Sequence, residues 1–258
     1  MSSILFEIKN SVAVITLNRP EKFNAFNAEM ALLLQKILDD CAADKKIRCI
    51  YITGNGKAFC AGQDLSEVTK ENAVGFDKML SEYYNPIVAR IRTIEKPILC
   101  AVNGVAAGAG ANIALCCDIV VASSSASFIQ AFSKIGLIPD SGGTFILPRL
   151  IGFQKASAIM MLGDKISATD AEKMGMIYKI FTDEIFVEES MKIAITLSQM
   201  PTKGLALTKQ ALNRSFNNSF EEQLKTEDEF QFAAAQTYDY NEGVKAFLEK
   251  RAPVFRGE

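Results

Sequence analysis

The segment from Lys96 to Gly143 constrains the fold of this chain more than any other. Within it an apolar run, Ile98 to Val102, leads through Asn103-Gly104 into a stretch that is almost entirely glycine, alanine and valine, and the next charge is Asp118. Side chains this small let a helix pack closely on a sheet, and they also leave main-chain N–H groups open to another molecule. Considered alone, the segment favours the packing interpretation.

Strand-like and helical runs alternate on both sides of this segment. The apolar runs Ile47 to Thr53, Ile98 to Val102 and Ile119 to Ala122 are separated by helical stretches, which predicts parallel strands joined by right-handed crossovers. Two earlier runs, Ile4 to Ile8 and Val12 to Leu17, predict a hairpin. The sequence therefore predicts an α/β fold whose carboxyl third is a helical layer.

Two amphipathic helices are predicted before the central segment. Asn27 is a candidate N-cap for the first. The second is predicted between Ser66 and Glu95, where these residues share one helical face: Phe76, Met79, Leu80, Tyr83, Tyr84, Ile87, Val88 and Ile91.

Net charge and hydropathy limit the classes of partner that this protein is expected to bind. The 258 residues carry a formal net charge of -2, which gives no general attraction to a polyanion, so nucleic acid is not expected as a partner. The amino terminus does not have the pattern of a secretory signal, and the apolar runs are too short to span a bilayer. We therefore expect a cytoplasmic protein with no membrane partner.

Histidine is absent from the sequence, and this limits the chemistry. Nucleophilic triads and general bases that use histidine are excluded, so proton transfer must rely on Asp, Glu, Lys, Tyr, Cys or water. The six cysteines lie mostly in apolar surroundings without CxxC spacing, which predicts buried free thiols rather than a metal site or a disulfide framework.

Two glycine-containing turns, each after a predicted strand, are the first candidates for chemistry. Ala61 to Asp64 reads AGQD and Gly108 to Ala111 reads GAGA. Two main-chain N–H groups about 3 Å from one oxygen form an oxyanion hole. Spacing alone does not establish that the turns converge, and AGQD is equally compatible with a plain strand-to-helix turn capped by Asp64.

Asp140 is the third candidate. It lies between Pro139 and Gly142-Gly143 in a mostly apolar neighbourhood, where burial would raise the pKa of its carboxyl towards the value that a general base needs near neutral pH. The local sequence by itself favours an alternative in which Asp140 caps the helix that follows.

Five motifs in order resemble the crotonase, or enoyl-CoA hydratase/isomerase, superfamily over essentially the whole chain. They are LNRPEKFNAFN, GNGKAFCAGQDL, the run from Lys96 to Ser123, IGLIPDSGGT and EGVKAFLEKRAPVF. The resemblance implies a spiral core of ββα repeats over residues 1–200, followed by a C-terminal helical trimerisation region over residues 201–258. It also implies a homo-oligomer, either a trimer or a dimer of trimers, and no cofactor beyond the coenzyme A of the substrate.

The resemblance also implies roles for individual residues. The N–H groups of Gln63 and Ala109 would hold the thioester oxygen of an acyl-CoA substrate, and Asp140 occupies the position of the acid/base carboxylate of isomerases. Hydratases of the superfamily carry two glutamates at positions that match Asn112 and Phe132. Neither of these residues is a carboxylate base, so hydration is disfavoured.

Further residues match the acyl-CoA contacts of the superfamily. Lys22 and Ala25 match positions on the nucleotide side, although a lysine considered singly is more simply a solvated surface charge. The amide of Asn112 could orient the substrate, and a satisfied polar residue within the helix is the equal alternative. The remaining predicted contacts are Ala61, Asp64, Leu65, Tyr83, Phe247 and Lys250, the last two sometimes serving a neighbouring subunit. For Tyr83 the helical spacing fits plain core packing as well.

FCAGQDL, NGVAAGAGA and AFSKIGLIPDSGGT are most similar to superfamily members that isomerise an aromatic ring epoxide. The resemblance implies conversion of 1,2-epoxyphenylacetyl-CoA to a seven-membered oxepin in phenylacetate catabolism, and a possible shift of β,γ-unsaturated acyl-CoA to the α,β isomer. The alternatives are an enoyl-CoA hydratase and a non-catalytic scaffold or RNA-binding protein. Hydration of crotonyl-CoA would identify the hydratase, and failure to bind acyl-CoA would identify the scaffold.

Overall fold

A six-stranded sheet forms the centre of the protein. The computed structural model describes residues 2–68, 75 and 78–258, so the predicted helical position Phe76 lies outside the described residues. The first two strands form the predicted antiparallel hairpin, and every later neighbour is parallel. In spatial order the strands are β1 (Ile4–Lys9), β2 (Val12–Leu17), β3 (Cys49–Gly54), β5 (Ile98–Val102), β7 (Ile119–Ser123) and β10 (Lys179–Phe181).

The inner strands β2, β3, β5 and β7 are buried on both faces, as expected for parallel strands in an α/β protein, whereas the edge strand β1 is exposed beyond Ile4. Along β3, Ile50 and Ile52 contact the larger apolar core, while Cys49 and Tyr51 contact a second core on the opposite face. Helix α8 (Phe186–Gln199) covers that second face, where the Ser190 hydroxyl lies 2.8 Å from the Tyr51 hydroxyl. The alternation along each strand therefore separates two apolar layers.

A second sheet is built from three-residue strands that periodicity did not predict. Its first three strands are parallel, and the last is antiparallel to its neighbour. Each successive turn of the chain adds one strand to the large sheet and one to the small sheet, which confirms the expected spiral of ββα repeats. In order these strands are β4 (Ala58–Cys60), β6 (Val105–Ala107), β8 (Ser127–Ile129) and β9 (Lys165–Ser167).

Helices cover the two sheets. The first begins where predicted, because the Asn27 side chain accepts a hydrogen bond from the Met30 N–H. The α-helices that lie within the described residues are α1 (Ala28–Ala43), α2 (Leu65–Val68), α3 (Asn85–Thr93), α4 (Ala109–Leu115), α5 (Gly143–Ile151), α6 (Phe153–Leu162), α7 (Ala168–Lys173), α8, α9 (Thr202–Ser215), α10 (Phe220–Ala235) and α11 (Tyr238–Leu248).

The helix before the central segment differs from the prediction in its first part. Met79–Tyr84 is a π-helical turn, and α3 follows it directly. The Asn85 N–H donates to the Leu80 carbonyl, five residues back. Met79 and Tyr84 on the predicted face are buried, as are Ile87 and Ile91 in α3. Widening the turn at this point directs Tyr84 into the protein.

The carboxyl-terminal segment is held in place by Arg48, the residue that precedes β3. The Arg48 guanidinium donates to the carbonyls of Met200 (2.6 Å) and Phe255 (2.8 Å), and the Asp239 carboxylate accepts from the N–H groups of Arg256 and Gly257. Among the described residues no helix is both long and apolar enough to cross a bilayer. The division at residue 200 and the trimerisation role stay predictions.

Candidate active site

The two glycine-containing turns meet where α4 begins. A methyl group built on Gly62, whose φ is +89°, would lie 2.9 Å from the Ala107 carbonyl oxygen and 3.4 Å from the Ala109 nitrogen. A methyl group built on Gly110 would lie 2.5 Å from the Cys60 carbonyl oxygen. Such close approach is possible only because both glycines lack a side chain. The turns therefore converge, which the sequence spacing had left open.

The main-chain N–H groups of Gln63 and Ala109 have no acceptor within the described part of the chain, and neither have those of Gly110 and Ala111 in the first turn of α4. Gln63 lies in an isolated parallel bridge with Phe26, in which the Phe26 N–H donates to the Gly62 carbonyl and the Asp64 N–H donates to the Phe26 carbonyl. The bridge fixes the turn through the neighbours of Gln63 and leaves its own N–H unused. An oxygen placed between the N–H groups of Gln63 and Ala109 could accept from both.

The Gln63 side chain is held by the π-helical turn. The Tyr84 hydroxyl donates to Gln63 Oε1 at 2.6 Å, and Gln63 Nε2 donates to the Asp64 carbonyl at 3.1 Å. Burial raises the pKa of Tyr84, and the charges of Asp140 and Asp64 add to that rise, so the hydroxyl stays a donor. Tyr83, a predicted acyl-CoA contact, is partly buried and packs against the apolar core.

Asp64 has the capping role that was the structural alternative for the first turn. Its Oδ1 accepts from the Ser66 N–H and hydroxyl, and its Oδ2 accepts from Arg19 at 2.8 Å. Burial alone would raise the pKa of Asp64, but these hydrogen bonds outweigh it and lower the pKa to about 2. A second Arg19 nitrogen donates to the Ala25 carbonyl, so one guanidinium joins the Asp64 turn to the loop before α1.

Asp140 does not cap the following helix, so the capping interpretation is wrong. The N-cap position of α5 is Gly142, and no side chain caps that helix. Left-handed conformations at Ser141 (φ +50°) and Gly142 (φ +76°) separate the Asp140 carboxyl from the first turn. Within the described residues the only side chain that donates to this carboxyl is Ser141, whose hydroxyl is 2.8 Å from Oδ1. Burial raises the pKa of Asp140.

Asn112 contacts the turn that carries Asp140, and Phe132 lies beside the second glycine turn. Asn112 Nδ2 donates to the Asp140 carbonyl at 2.9 Å, and Asn112 Oδ1 accepts from Gln130 Nε2 at 2.7 Å. The Phe132 ring is buried beside the second turn, with its tip 3.7 Å from a methyl group built on Gly108. An amide engaged within the protein and an apolar ring thus occupy the positions that match the hydratase glutamates.

The predicted acyl-CoA contacts fall into two groups. Lys22 and Ala25 lie in the loop that packs on the first turn, where the Ala61 N–H donates to the Phe23 carbonyl. Ala61 and Leu65 are exposed on that turn.

The second group lies elsewhere in the protein. Phe247 is 83% exposed near the end of α11, and it lines a groove with Pro201, Gly204 and Phe255. Lys250 is exposed just beyond the same helix. The structure therefore does not bring these two residues to the turn pair within one chain.

Sequence reasoning missed three polar residues of this region: Arg19, Gln130 and Ser141. Each is bonded to a candidate residue or to its neighbour. A single polar side chain between two apolar runs, as at Gln130 in SFIQAF, was the available signal. It does not by itself identify a partner.

A spiral of ββα repeats with two converging glycine turns defines a class of acyl-thioester enzymes, and the comparisons agree. The profile of the enoyl-CoA hydratase/isomerase family matches residues 7–258, so this chain belongs to that family. It is 45% identical to the 1,2-epoxyphenylacetyl-CoA isomerase of Escherichia coli K12 over 261 aligned positions, covering 100% of both chains.

Two further comparisons show the range of the family. The chain is 35% identical to the trans-2-decenoyl-(acyl-carrier-protein) isomerase of Streptococcus mutans, covering 99% of this chain and 98% of the relative. The crystal structure of an enoyl-CoA hydratase from Bacillus anthracis superposes with a TM-score of 0.93 at 30% identity, covering 99% of this chain and 100% of the other. Family membership alone therefore leaves the reaction open.

Proposed function

We propose that this enzyme is an acyl-CoA isomerase whose principal reaction converts 1,2-epoxyphenylacetyl-CoA to the oxepin thioester. The observation that carries the proposal is Asp140. Within the described residues no cation pairs with this carboxylate, and its pKa is raised by burial. Its turn is joined to α4, the helix that begins at Ala109, by the hydrogen bond from Asn112 Nδ2 to the Asp140 carbonyl. The resemblance to the isomerase of Escherichia coli supports the choice of substrate.

The proposed chemistry is a proton shift within one substrate. The ring epoxide opens to its oxepin valence isomer by breaking the carbon–carbon bond that the two epoxide carbons share. The Asp140 carboxylate then removes a proton from the carbon next to the thioester, and the electron pair forms an enolate. The Gln63 and Ala109 N–H groups hold the enolate oxygen, each contributing about 3 kcal/mol to transition-state stabilisation.

Protonated Asp140 returns the same proton to a ring carbon two positions further along the conjugated system. The double bond moves into conjugation with the thioester, and all atoms of the substrate are retained. No water or co-substrate enters, and one carboxylate suffices. The same steps shift a β,γ-unsaturated acyl-CoA to its α,β isomer, which we propose as a second activity.

Hydration is the competing reaction. It needs a positioned water and a group that activates it, and the Asn112 amide already bonds Asp140 and Gln130. The buried Phe132 ring offers no hydrogen bond to a water. Both contacts support isomerisation over hydration.

The test is to supply 1,2-epoxyphenylacetyl-CoA from a coupled epoxidase and to identify the product by mass spectrometry and absorbance. We expect the oxepin thioester from the wild type, and from Asp140→Asn a turnover about 10²- to 10⁴-fold lower with acyl-CoA binding retained. Asp164→Asn, which changes an exposed carboxylate, is the matched control. Near wild-type turnover in Asp140→Asn, or hydrated product from crotonyl-CoA at a higher rate, would contradict the proposal.

We also propose that helices α9 to α11 assemble the enzyme into a trimer or a dimer of trimers. Large apolar side chains are exposed there, including Phe220 (73%), Phe232 (70%) and Leu248 (74%). Burial of such a surface between copies is favourable. Native mass spectrometry would give three or six copies, and a monomer would refute this assembly.

A further inference from the structure

A chain of two side-chain hydrogen bonds runs from β8 to the turn that carries Asp140. Gln130, the residue after β8, donates from Nε2 to Asn112 Oδ1, and Asn112 donates from Nδ2 to the Asp140 carbonyl. Gln130 and Asn112 are each only 1% exposed. A carbonyl can only accept, so Asn112 must present its NH₂ group to Asp140 and its oxygen to Gln130. The orientation of the Asn112 amide is thereby fixed at both ends.

The turn at the end of this chain needs support. Ser141 is buried and left-handed, a conformation that costs a residue with a side chain about 1–2 kcal/mol. The Asp140 carbonyl accepts from the Gly143 N–H as well as from Asn112. Gly143 itself lies against the amide, since a methyl group there would be 2.4 Å from Asn112 Nδ2. The Asn112 amide is therefore packed into the corner that directs the Asp140 carboxyl.

The presence of an amide at Gln130 is not explained by a contribution to folding stability. Within the described residues no donor reaches its Oε1, although this oxygen is buried. A buried acceptor left unpaired costs about 1–3 kcal/mol, which an apolar side chain of similar shape would avoid. The functional half of the amide is its NH₂ group, which faces Asn112.

The end of β8 also contacts the residues that precede α4, where the second predicted N–H donor lies. The Ile129 carbonyl, next to Gln130, accepts from the Gly108 N–H at 2.9 Å. Gly108 directly precedes Ala109, the second predicted donor. One strand end thus fixes the start of α4 through its main chain and the Asp140 turn through its side chain.

We propose that Gln130 is a positioning residue for Asp140 and acts through Asn112. Gln130 touches no reacting atom in the proposed mechanism. It prevents rotation of the Asn112 amide, which in turn holds the Asp140 carbonyl and keeps the carboxyl aimed at the substrate. This inference rests on the proposed function, in which Asp140 carries the proton.

The first test is Gln130→Met, which keeps the shape and removes the amide. We expect kcat for isomerisation to fall between about 10- and 100-fold while KM changes less than about twofold, because orientation is lost and the acyl-CoA contacts are not. Ser127→Ala is the matched control, since Ser127 lies in β8 three residues before Gln130 and its buried hydroxyl has no partner within the described residues. It should leave kcat unchanged. A folded Gln130→Met enzyme with wild-type kcat would overturn the inference.

A double-mutant cycle tests the route through Asn112. Adding Gln130→Met to Asn112→Leu should lower kcat no further than Asn112→Leu alone, because the link is already cut. Independent, multiplicative losses would show that Gln130 acts some other way. A merely structural role would lower the melting temperature without this coupling in kcat.

Deuterium uptake gives a readout that does not depend on turnover. The Gly143 N–H donates to the Asp140 carbonyl, so the peptide spanning residues 140–146 should exchange faster in Gln130→Met than in the wild type or in Ser127→Ala. If the wild type isomerises no acyl-CoA, the proposed function fails and this exchange still decides the inference. Unchanged exchange in Gln130→Met would refute it.

Discussion

The two aspartate turns of the site contain the same residue type in opposite surroundings. Asp64 accepts hydrogen bonds from Arg19 and Ser66, and they lower its pKa to about 2 despite burial. Among the described side chains only that of Ser141 donates to the Asp140 carboxylate, and burial raises its pKa. The first carboxylate is committed to holding a loop, whereas the second remains able to exchange a proton. Partners rather than residue type decide which aspartate can do chemistry.

The largest effect is expected from Gly110→Ala, which disturbs the Asp64 turn without altering either carboxylate. The new methyl group would lie 2.5 Å from the Cys60 carbonyl oxygen, so β4 and α4 must separate. We expect kcat/KM for isomerisation to fall by about 10²- to 10³-fold, because one of the two proposed N–H donors would no longer reach the enolate oxygen.

Gly204→Ala is the matched control for that variant, because this glycine also lies in a helix. Its added methyl group would have only ordinary contacts, the nearest at 3.8 Å. We expect up to about 1 kcal/mol of added stability and unchanged kcat/KM. Wild-type activity in Gly110→Ala would mean that the close approach of the turns is not needed.

The next largest effect is on the free energy of unfolding, which should respond differently to loss of the Asp64 and the Asp140 carboxylate. A pKa of about 2 in the folded state, against 3.8 for the free side chain, means that ionised Asp64 stabilises the fold by about 2 kcal/mol above pH 4 or so. Asp64→Asn should lose that amount in urea unfolding at pH 7. Asp140→Asn should be neutral or slightly stabilising, because it removes a half-buried charge that no cation pairs with among the described residues.

The stability difference for Asp64 should depend on pH in a defined direction. A lowered pKa gives stability that is lost as pH falls from about 4 to about 2, where folded Asp64 becomes protonated. The wild type and Asp64→Asn should therefore become more alike towards pH 2. Equal stability of the two proteins at pH 7 would show that Arg19 and Ser66 do not stabilise Asp64.

The smallest effect concerns Ser141. Activity that needs ionised Asp140 is lost as pH falls through its folded pKa, which burial places above the usual value. The Ser141 hydrogen bond lowers that pKa, so Ser141→Ala should move the acidic limb of the kcat/KM profile to higher pH by less than about one unit. A shift in the opposite direction would contradict Asp140 as the titrating base.

Much of the large sheet could be predicted from the sequence because its signals are local. Apolar runs such as Ile98 to Val102 form strands as predicted, and Asn27 caps α1 through a residue three positions away. The six cysteines are buried and free, as their surroundings indicated. The burial of Met79, Ile87 and Ile91 also follows from helical spacing.

The candidate site was only partly predictable because its parts depend on distant partners. A strand of three residues, such as Ala58–Cys60, is too short to show a period, and it exists only through pairing with Val105–Ala107. Whether Asp140 caps a helix depended on the left-handed conformation of Ser141. The assignment of Gln63, Ala109 and Asp140 to roles came from resemblance and stays a prediction.

The pairing of β4 with β6 bears on the distance between the two proposed N–H donors, which follow these strands. Hydrogen-bonded strands lie about 4.8 Å apart, and two donors at that separation can each be about 3 Å from one shared oxygen, meeting there at an angle of roughly 105°. The spacing comes from the sheet itself and from no particular side chain. A family built on this spiral can therefore exchange its acids and bases, as the resemblance implies for Asn112 and Phe132, while the two proposed N–H donors to the thioester oxygen keep their spacing.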